Sequence, residues 1–242
     1  MNPVTQSSAV SAEQLEQYER DGYFIVRDAV DVDAVDEIRR IILEFVTGTR
    51  ELDPGQLVEE LDAMPIDELQ AKIRKLSGIG RATKEIWDNY YAGDRVLRHV
   101  RHFLGDTIYV KYDSVFLKPA RTGGATPWHQ DIGLWRDTNS DAFNAWLAVD
   151  PARRANGCLQ FIPGTHRTDV VPHVKYPDAI HAEIPRKRVE RTIAEIGVHH
   201  IELEPGDCVM WHSHLWHFSP PNTSDLRRIG MGAVWISPER TS

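Results

Sequence analysis

Two cysteines in 242 residues, Cys158 and Cys208, are too few for a disulfide framework. Both sit in apolar, strand-like runs, where a thiol serves as a small core hydrophobe, and their number suits a reducing compartment. No apolar run approaches the length needed to span a bilayer. The opening, Met1-Asn-Pro-Val-Thr-Gln6, lacks the form of a signal peptide. The closing Glu239-Arg-Thr-Ser242 is not a peroxisomal address, so the expected location is the cytoplasm, with no membrane partner. Positive charge is also short: 28 Lys and Arg stand against 36 Asp and Glu, a net charge of -8, which argues against nucleic acid as a partner. Internal repeats and low-complexity segments are missing as well. What remains is a chain with 41% hydrophobic residues and seven tryptophans, enough to build the core of one domain spanning 1–242.

Helical signals come first. Residues 1–10 are small and polar and are expected to fray. Ser11-Ala-Glu-Gln14 reads as a capping box opening a helix to about Arg20, with Leu15 and Tyr18 on one face. Asp21-Gly22 ends it, and Tyr23 to Arg27 forms a short strand. Asp31 caps a second helix carrying Val32, Val35, Ile38, Ile42 and Phe45. Between 51 and 76, Leu57, Leu61, Leu69 and Ile73 make weak helical stripes, and a further helical stretch runs from Ala82 to Leu104, interrupted at Gly93-Asp94. Its His99 and His102 read as helix-surface residues.

Beyond Gly105 the texture turns to β. Strands are expected at 107–112, 114–118, 143–149, 158–162, 199–203, 208–212 and 228–236, with a tight turn at Asn156-Gly157. Residues 167–196 hold no long apolar run and carry a basic cluster of Arg186, Lys187, Arg188 and Arg191, the mark of a lid-like insertion or a solvated segment. Helices first and many short strands later give a mainly β fold with helices packed outside a sandwich or barrel.

The chemistry concentrates in two stretches, Thr126-Pro-Trp-His-Gln-Asp-Ile-Gly133 and Trp211-His-Ser-His-Leu-Trp-His-Phe-Ser-Pro-Pro-Asn222. His129 and Asp131 are two apart, so on a strand both side chains leave one face. With one further histidine they make the 2-His-1-carboxylate triad that holds Fe(II) and leaves positions open. Alone, His-x-Asp is weak in a chain with eleven histidines, and His181-Ala-Glu183 and His200-Ile-Glu202 are decoys of similar form. The candidate third ligand is His217, which ends the Trp211 run. Period-two alternation sets His212 and His214 against Ser213, Leu215 and His217. Downstream, Arg227 and Arg228 compete for a second role, since the planar fork of an arginine beside an iron site grips a carboxylate with two hydrogen bonds. Ser219 is placed to add a hydrogen bond to the same group.

Taken together, Gln14 to Val26, Trp128-His-Gln-Asp131, Asn156-Gly-Cys-Leu-Gln-Phe-Ile-Pro-Gly-Thr-His166, Gly206-Asp207 and His217-x-Ser-x-Pro-Asn-x-Ser-Asp-x-x-Arg228 resemble the phytanoyl-CoA dioxygenase family of Fe(II)- and 2-oxoglutarate-dependent oxygenases. The matches keep the family's order over nearly the whole chain, loosely at 50–105 and not at all at 167–196. The resemblance implies a double-stranded β-helix, a jelly-roll or cupin-like core, with N-terminal helices. It implies His129, Asp131 and His217 as iron ligands and Arg228, not Arg227, as the clamp on the distal carboxylate of 2-oxoglutarate. Ser219, Lys118, Trp146 and Gln130 fall at positions implied to meet the cosubstrate; Trp146 is otherwise plain core and Lys118 a strand-edge charge. His166 is implied to be structural. Where the family often carries a basic residue just before the segment matching Ile79-Gly80, this chain has Gly78.

The implied reaction consumes O2 and 2-oxoglutarate and oxidises, foremost hydroxylates, an unactivated C–H bond of a small molecule. Specialised metabolism is the expected setting. Retention of Asp131 points to oxygenation, because related halogenases put a small residue there. Trp128, Trp135, Arg136 and Asp137 flank the metal motif and mix ring faces with charge, which suits a polar or glycosidic substrate. The basic cluster at 186–191 suits an anionic group instead, a CoA-like phosphate included. The alternatives are a non-catalytic binding module and a cupin-type metal-dependent isomerase or hydrolase, neither of which needs a dicarboxylate clamp. The oligomeric state is not legible.

Overall fold

Between 143 and 149 every residue is buried, so this strand has to be covered on both faces. A computed structural model, which describes residues 10–51, 74–135 and 141–238, shows what covers it. Among the described residues ten strands form two sheets: β1 (Tyr23–Val26), β2 (Lys75–Ser77), β3 (Tyr109–Lys118), β4 (Thr126–His129), β5 (Asp141–Ala148), β6 (Leu159–Phe161), β7 (His199–Ile201), β8 (Cys208–His212), β9 (His217–Ser219) and β10 (Arg228–Ser237). The large sheet has the order β1-β8-β5-β10-β3-β2 and the small one β4-β9-β6-β7, with antiparallel pairing throughout. The fold is the expected jelly roll with helices packed against one side.

Period-two alternation sorts the large sheet into two cores. Phe143, Ala145 and Leu147 of β5, Met231, Ala233 and Trp235 of β10, and Met210 of β8 pack with the helices. Those helices are α1 (Ala12–Asp21), α2 (Val32–Thr47), the short α3 (Ile79–Ala82) and α4 (Lys84–Ile86), and α5 (Asp94–Leu104). Trp146 and Ala148 of β5, with Val209 and Trp211 of β8, turn inward and meet Leu159 and Phe161 of the small sheet. The site lies between the sheets, on this inner side.

Several boundaries differ from expectation. The Ser11 capping box and the αL cap at Gly22 are present. Asp31, by contrast, makes no capping bond and pairs with Arg95 at 2.7 Å. Residues 109–118 form one strand rather than two, because the carboxylate of Asp113 is buried under α3 and accepts from the Gly78 and Arg81 amides. The stretch 82–104 breaks into α4, a π-helical turn (Trp87–Tyr91) and α5. His99 is 2% exposed, its Nδ1 2.7 Å from the Arg95 carbonyl, so it is a core residue rather than a surface one. Within 167–196 the chain forms a Val174–Glu183 bridge and then α7 (Arg186–Ile196). The stripes at Leu57, Leu61, Leu69 and Ile73 lie outside the described residues. Among the described residues no helix is long and apolar enough to cross a membrane.

Candidate active site

Two neighbouring strands of the small sheet bring the histidines together, with His129 of β4 opposite His217 of β9. The backbone reaches this arrangement differently from the sequence expectation. Strand β4 stops at His129, Gln130 stays extended (φ -106°, ψ 133°), and Asp131 is the first residue of a short helix, α6 (Asp131–Leu134). One extended residue between them is enough to send both side chains to one side. Likewise His217 does not end a continuous strand. A turn closed by the Leu215 amide on the His212 carbonyl intervenes, and His217 opens β9. That turn, not alternation, removes the competitors: His212 packs against His214, His166 and Tyr18 on the far side.

The triad is preset for ligation. Asp131 Oδ1 lies 3.7 Å from His129 Nε2, and Oδ2 lies 3.6 Å from His217 Nε2. One ligand atom from each of the three falls within 4.8 Å of the others, and this is the single such cluster among the described residues. Each histidine hydrogen-bonds through Nδ1 to a carbonyl two residues back, His129 to Pro127 at 2.7 Å and His217 to Leu215 at 3.0 Å. A carbonyl only accepts, so Nδ1 carries the proton and the Nε2 lone pair faces the carboxylate. Burial, and then His217, depress the pKa of His129 and keep the ring neutral. Burial alone would raise the pKa of Asp131, but His217, His129 and the Trp211 indole N–H together hold it below the ordinary carboxylate value. The indole donates to Asp131 Oδ2 at 3.1 Å. Trp211 was not singled out from the sequence; an indole is a donor only, and nothing in the spacing shows where it points.

A cavity of about 440 Å³ opens from the triad toward β10. At its inner end Arg228 is 2% exposed, and its guanidinium carbon lies 4.9 Å from the Trp146 ring centroid. Its Nη1 donates to the Gly157 carbonyl and, at 3.3 Å, to Ser219 Oγ, while Nε is buried without a partner. Ser219 Oγ itself donates to the Gly157 carbonyl at 2.8 Å. Gly157 has φ +83°, and a Cβ there would meet the Pro220 carbonyl at 2.4 Å, so the acceptor of both bonds depends on a glycine. Burial lowers the arginine pKa to about 10, which still leaves it charged at neutral pH. An arginine with no carboxylate partner and an orphaned donor fits an incoming carboxylate. Arg227 instead faces outward, 3.5 Å from Asp150.

Other candidates divide. Trp135 lines the cavity, with Lys111 Nζ 4.7 Å from its ring centroid. Trp128 does not line it; its ring stacks on Phe218 at 5.2 Å and covers a separate cluster under α7. Gln130 is turned away from the cavity, which corrects its assignment to the cosubstrate. Its side chain donates to the His214 carbonyl and accepts from the Val171 amide, tying 167–173 to the metal strand. Lys118 lines the cavity with its stem, but Nζ is spent on the carbonyls of Gly124, Ser219 and Pro220 and offers no free donor. Burial, then Arg228 and Arg74, lower its pKa to about 6. Arg136 and Asp137 lie outside the described residues. The basic cluster lines no part of the cavity. Arg186 pairs with Glu183 and Asp178, Arg188 sits over Trp216, and Arg191 pairs with Glu195.

His181 and Lys75 are among the cavity residues that escaped the sequence reading. His181, set aside as part of a decoy, stands edge-on to His129 with ring centroids 4.7 Å apart. Lys75, on β2, lines the cavity and feels the charge of Asp131.

Known proteins resemble this chain in sequence and in fold. The sequence pattern of the phytanoyl-CoA dioxygenase (PhyH) family matches residues 18–230. The chain is 28% identical over 232 residues to the peroxisomal phytanoyl-CoA dioxygenase of Mus musculus, covering 89% of this chain and 65% of the mouse protein. It is 25% identical over 244 residues to ectoine dioxygenase of Sphingopyxis alaskensis, covering 96% of this chain and 77% of that protein. The crystal structure of EctD from S. alaskensis with 2-oxoglutarate and 5-hydroxyectoine superposes with a TM-score of 0.79 at 22% identity, over 99% of this chain and 82% of the other. The epimerase SnoN from nogalamycin biosynthesis, solved with Fe3+, alpha ketoglutarate and nogalamycin RO, superposes with a TM-score of 0.71 at 18% identity, over 93% and 82%.

Proposed function

The chain belongs to the phytanoyl-CoA dioxygenase family, and from that premise we propose that it is an Fe(II)- and 2-oxoglutarate-dependent dioxygenase that hydroxylates a small molecule. The observation that carries this reading is the pairing of two features in one cavity. A buried triad presents two Nε2 lone pairs and a carboxylate, and a buried arginine with an orphaned Nε waits for a carboxylate.

His129, Asp131 and His217 hold the metal, and Arg228 receives the distal carboxylate of 2-oxoglutarate, with the Ser219 hydroxyl spent on the Gly157 carbonyl beside it. Fe(II) with this cosubstrate and O2 supplies oxidative chemistry, in which 2-oxoglutarate yields succinate and CO2, one oxygen atom entering each of the succinate and the substrate. The protein's own part is orientation. The Pro127 and Leu215 carbonyls fix both imidazoles, and the Trp211 N–H fixes the carboxylate. The Trp146 face and the Gly157 carbonyl fix the arginine fork before anything binds, which lowers the ordering cost of binding. Phe116, Leu134, Trp135 and Ile180 give the cavity apolar walls against which the body of a substrate packs.

A volume of about 440 Å³, shared with the cosubstrate, suits a compact molecule rather than a whole acyl-CoA. Ectoine dioxygenase and the nogalamycin epimerase are named for small-molecule transformations, and a role in specialised metabolism belongs to this same proposal. Calorimetric titration of 2-oxoglutarate into Zn(II)-loaded protein checks the paired site, with glutarate as the control that lacks the keto oxygen. Binding should require the metal and favour 2-oxoglutarate over glutarate. Equal affinity for both ligands with and without metal would remove the reading.

A further inference from the structure

Asn144 is fully buried, it lines the cavity, and neither its Nδ2 nor its Oδ1 has a partner. A primary amide left unpaired away from water costs free energy at both ends, so a native fold that keeps one needs a reason. Alternation along β5 sends Asn144 to the same side as Trp146, into the space between the sheets, while Phe143 and Ala145 enter the helix-side core. No described residue completes the amide there.

Its position along the sheet separates it from the cosubstrate. Across β5 and β10 Asn144 is in register with Val234, whereas the Arg228 guanidinium packs on Trp146, one row along the same face of β5, about 7 Å away at about 3.3 Å per residue. Across β5 and β8 Asn144 is in register with Trp211, whose indole holds Asp131. The amide therefore lies level with the triad, and 2-oxoglutarate reaching from Arg228 toward the triad spans the row of Trp146 and Gly232 before it. Whatever satisfies Asn144 enters on the other side of the metal position, where the substrate has to be.

We propose that Asn144 selects and orients the substrate, through a paired hydrogen bond to a group that both donates and accepts, a hydroxyl or a carboxamide, on a compact and otherwise apolar body. The amide offers one acceptor and two donors, so a group of either kind closes both unmet bonds at once. The apolar walls from Phe116, Leu134, Trp135 and Ile180 take the rest of the molecule. Fixing one polar group beside the triad decides which C–H bond faces it. Asn144 is thus a specificity-determining residue, and its assignment rests on the oxygenase reading above.

The test uses Zn(II)-loaded protein, with benzamide as the probe and acetophenone as its analogue lacking the donor. The Asn144 side-chain amide signals are identified in a 1H–15N spectrum by their absence in Asn144→Leu. Benzamide should shift them and 2-oxoglutarate alone should not. Asn144→Leu should weaken benzamide about tenfold, acetophenone less, and 2-oxoglutarate less than twofold. The ligand-free variant should also melt higher than wild type, because an orphaned amide has gone. Benzamide that fails to bind wild type, or binds the variant equally well, overturns the proposal while a retained 2-oxoglutarate site leaves the oxygenase reading standing. Signals that move with 2-oxoglutarate alone would assign Asn144 to the cosubstrate and overturn it too. Wild type that binds no 2-oxoglutarate would remove the oxygenase reading and this inference together.

Discussion

At the residue scale the site works by committing the donors around the triad to fixed partners. His129 and His217 give their Nδ1 protons to carbonyls, which leaves two lone pairs for a metal, and Trp211 uses its single N–H on Asp131. Replacing Trp211 by Phe keeps the ring and deletes that bond. Partners of this kind are worth roughly 10–100-fold in metal affinity, so Trp211→Phe should weaken Fe(II) binding by about that factor without unfolding the protein. A competition titration against a chelator reads this directly, and unchanged affinity would make the indole contact incidental. Arg228→Ala leaves the metal site intact and deletes the clamp. Truncating one side of a buried charge pair costs about 2–5 kcal/mol, so the 2-oxoglutarate Kd should rise at least 30-fold at unchanged Fe(II) affinity. A rise in both constants would point to collapse of the cavity instead.

At the element scale the metal strand is tied to the segment that roofs the site. Gln130 donates to the His214 carbonyl and accepts from the Val171 amide, while its own amide donates to His173 Nε2 at 3.0 Å. Gln130→Ala orphans two buried backbone groups, each worth about 1–3 kcal/mol. Hydrogen exchange should therefore speed up at Val171 and its neighbours before it does in β5 or β10, and uniform protection across the chain would contradict the tie.

Gln130 also shows where the sequence was legible and where it was not. Motif order carried His129, Asp131, His217 and Arg228 to their places, because ligand identity and spacing are local properties. Apolar runs likewise located β1, β5, β8 and β10 of the large sheet, while β3 was read as two strands and the short β2 was read as the end of a helical stretch. Side-chain direction at a strand end is not local: the structure turns Gln130 toward 167–173 and engages Lys118 Nζ with three carbonyls. His181 and Lys75 reach the cavity from segments distant in the chain, so no spacing rule connects them to the triad. Asp113 broke the pattern of β3 only because its partners at Gly78 and Arg81 lie 32 to 35 residues away.

At the scale of the whole molecule, several histidines outside the triad are buried or half-buried, which favours their neutral form. His212 is the clearest, its pKa pushed down to about 4 by burial, His214 and His166, and its Nδ1 accepts from the His214 amide at 3.0 Å. Burial also lowers His99 and His166. A histidine whose folded pKa lies below its unfolded value of about 6.5 binds more protons when unfolded, so stability falls as pH drops from about 6.5 toward 4. Urea midpoints of the metal-free protein should decline through that window. His212→Gln should flatten the decline by about 1–3 kcal/mol at its acid end. A midpoint independent of pH between 7 and 4 would contradict the burial of neutral rings.

The central claim concerns one cavity that holds a metal at one end and a dicarboxylate clamp at the other. Its most direct test is an anaerobic titration of the metal-free protein with Fe(II) and then 2-oxoglutarate, following the visible charge-transfer band of the chelated cosubstrate. Wild type should develop the band, Asp131→Ala should lose it, and Arg228→Ala should require at least 30-fold more 2-oxoglutarate to reach it. A folded, Fe(II)-loaded wild type with no band, or variants that match it, would contradict the account.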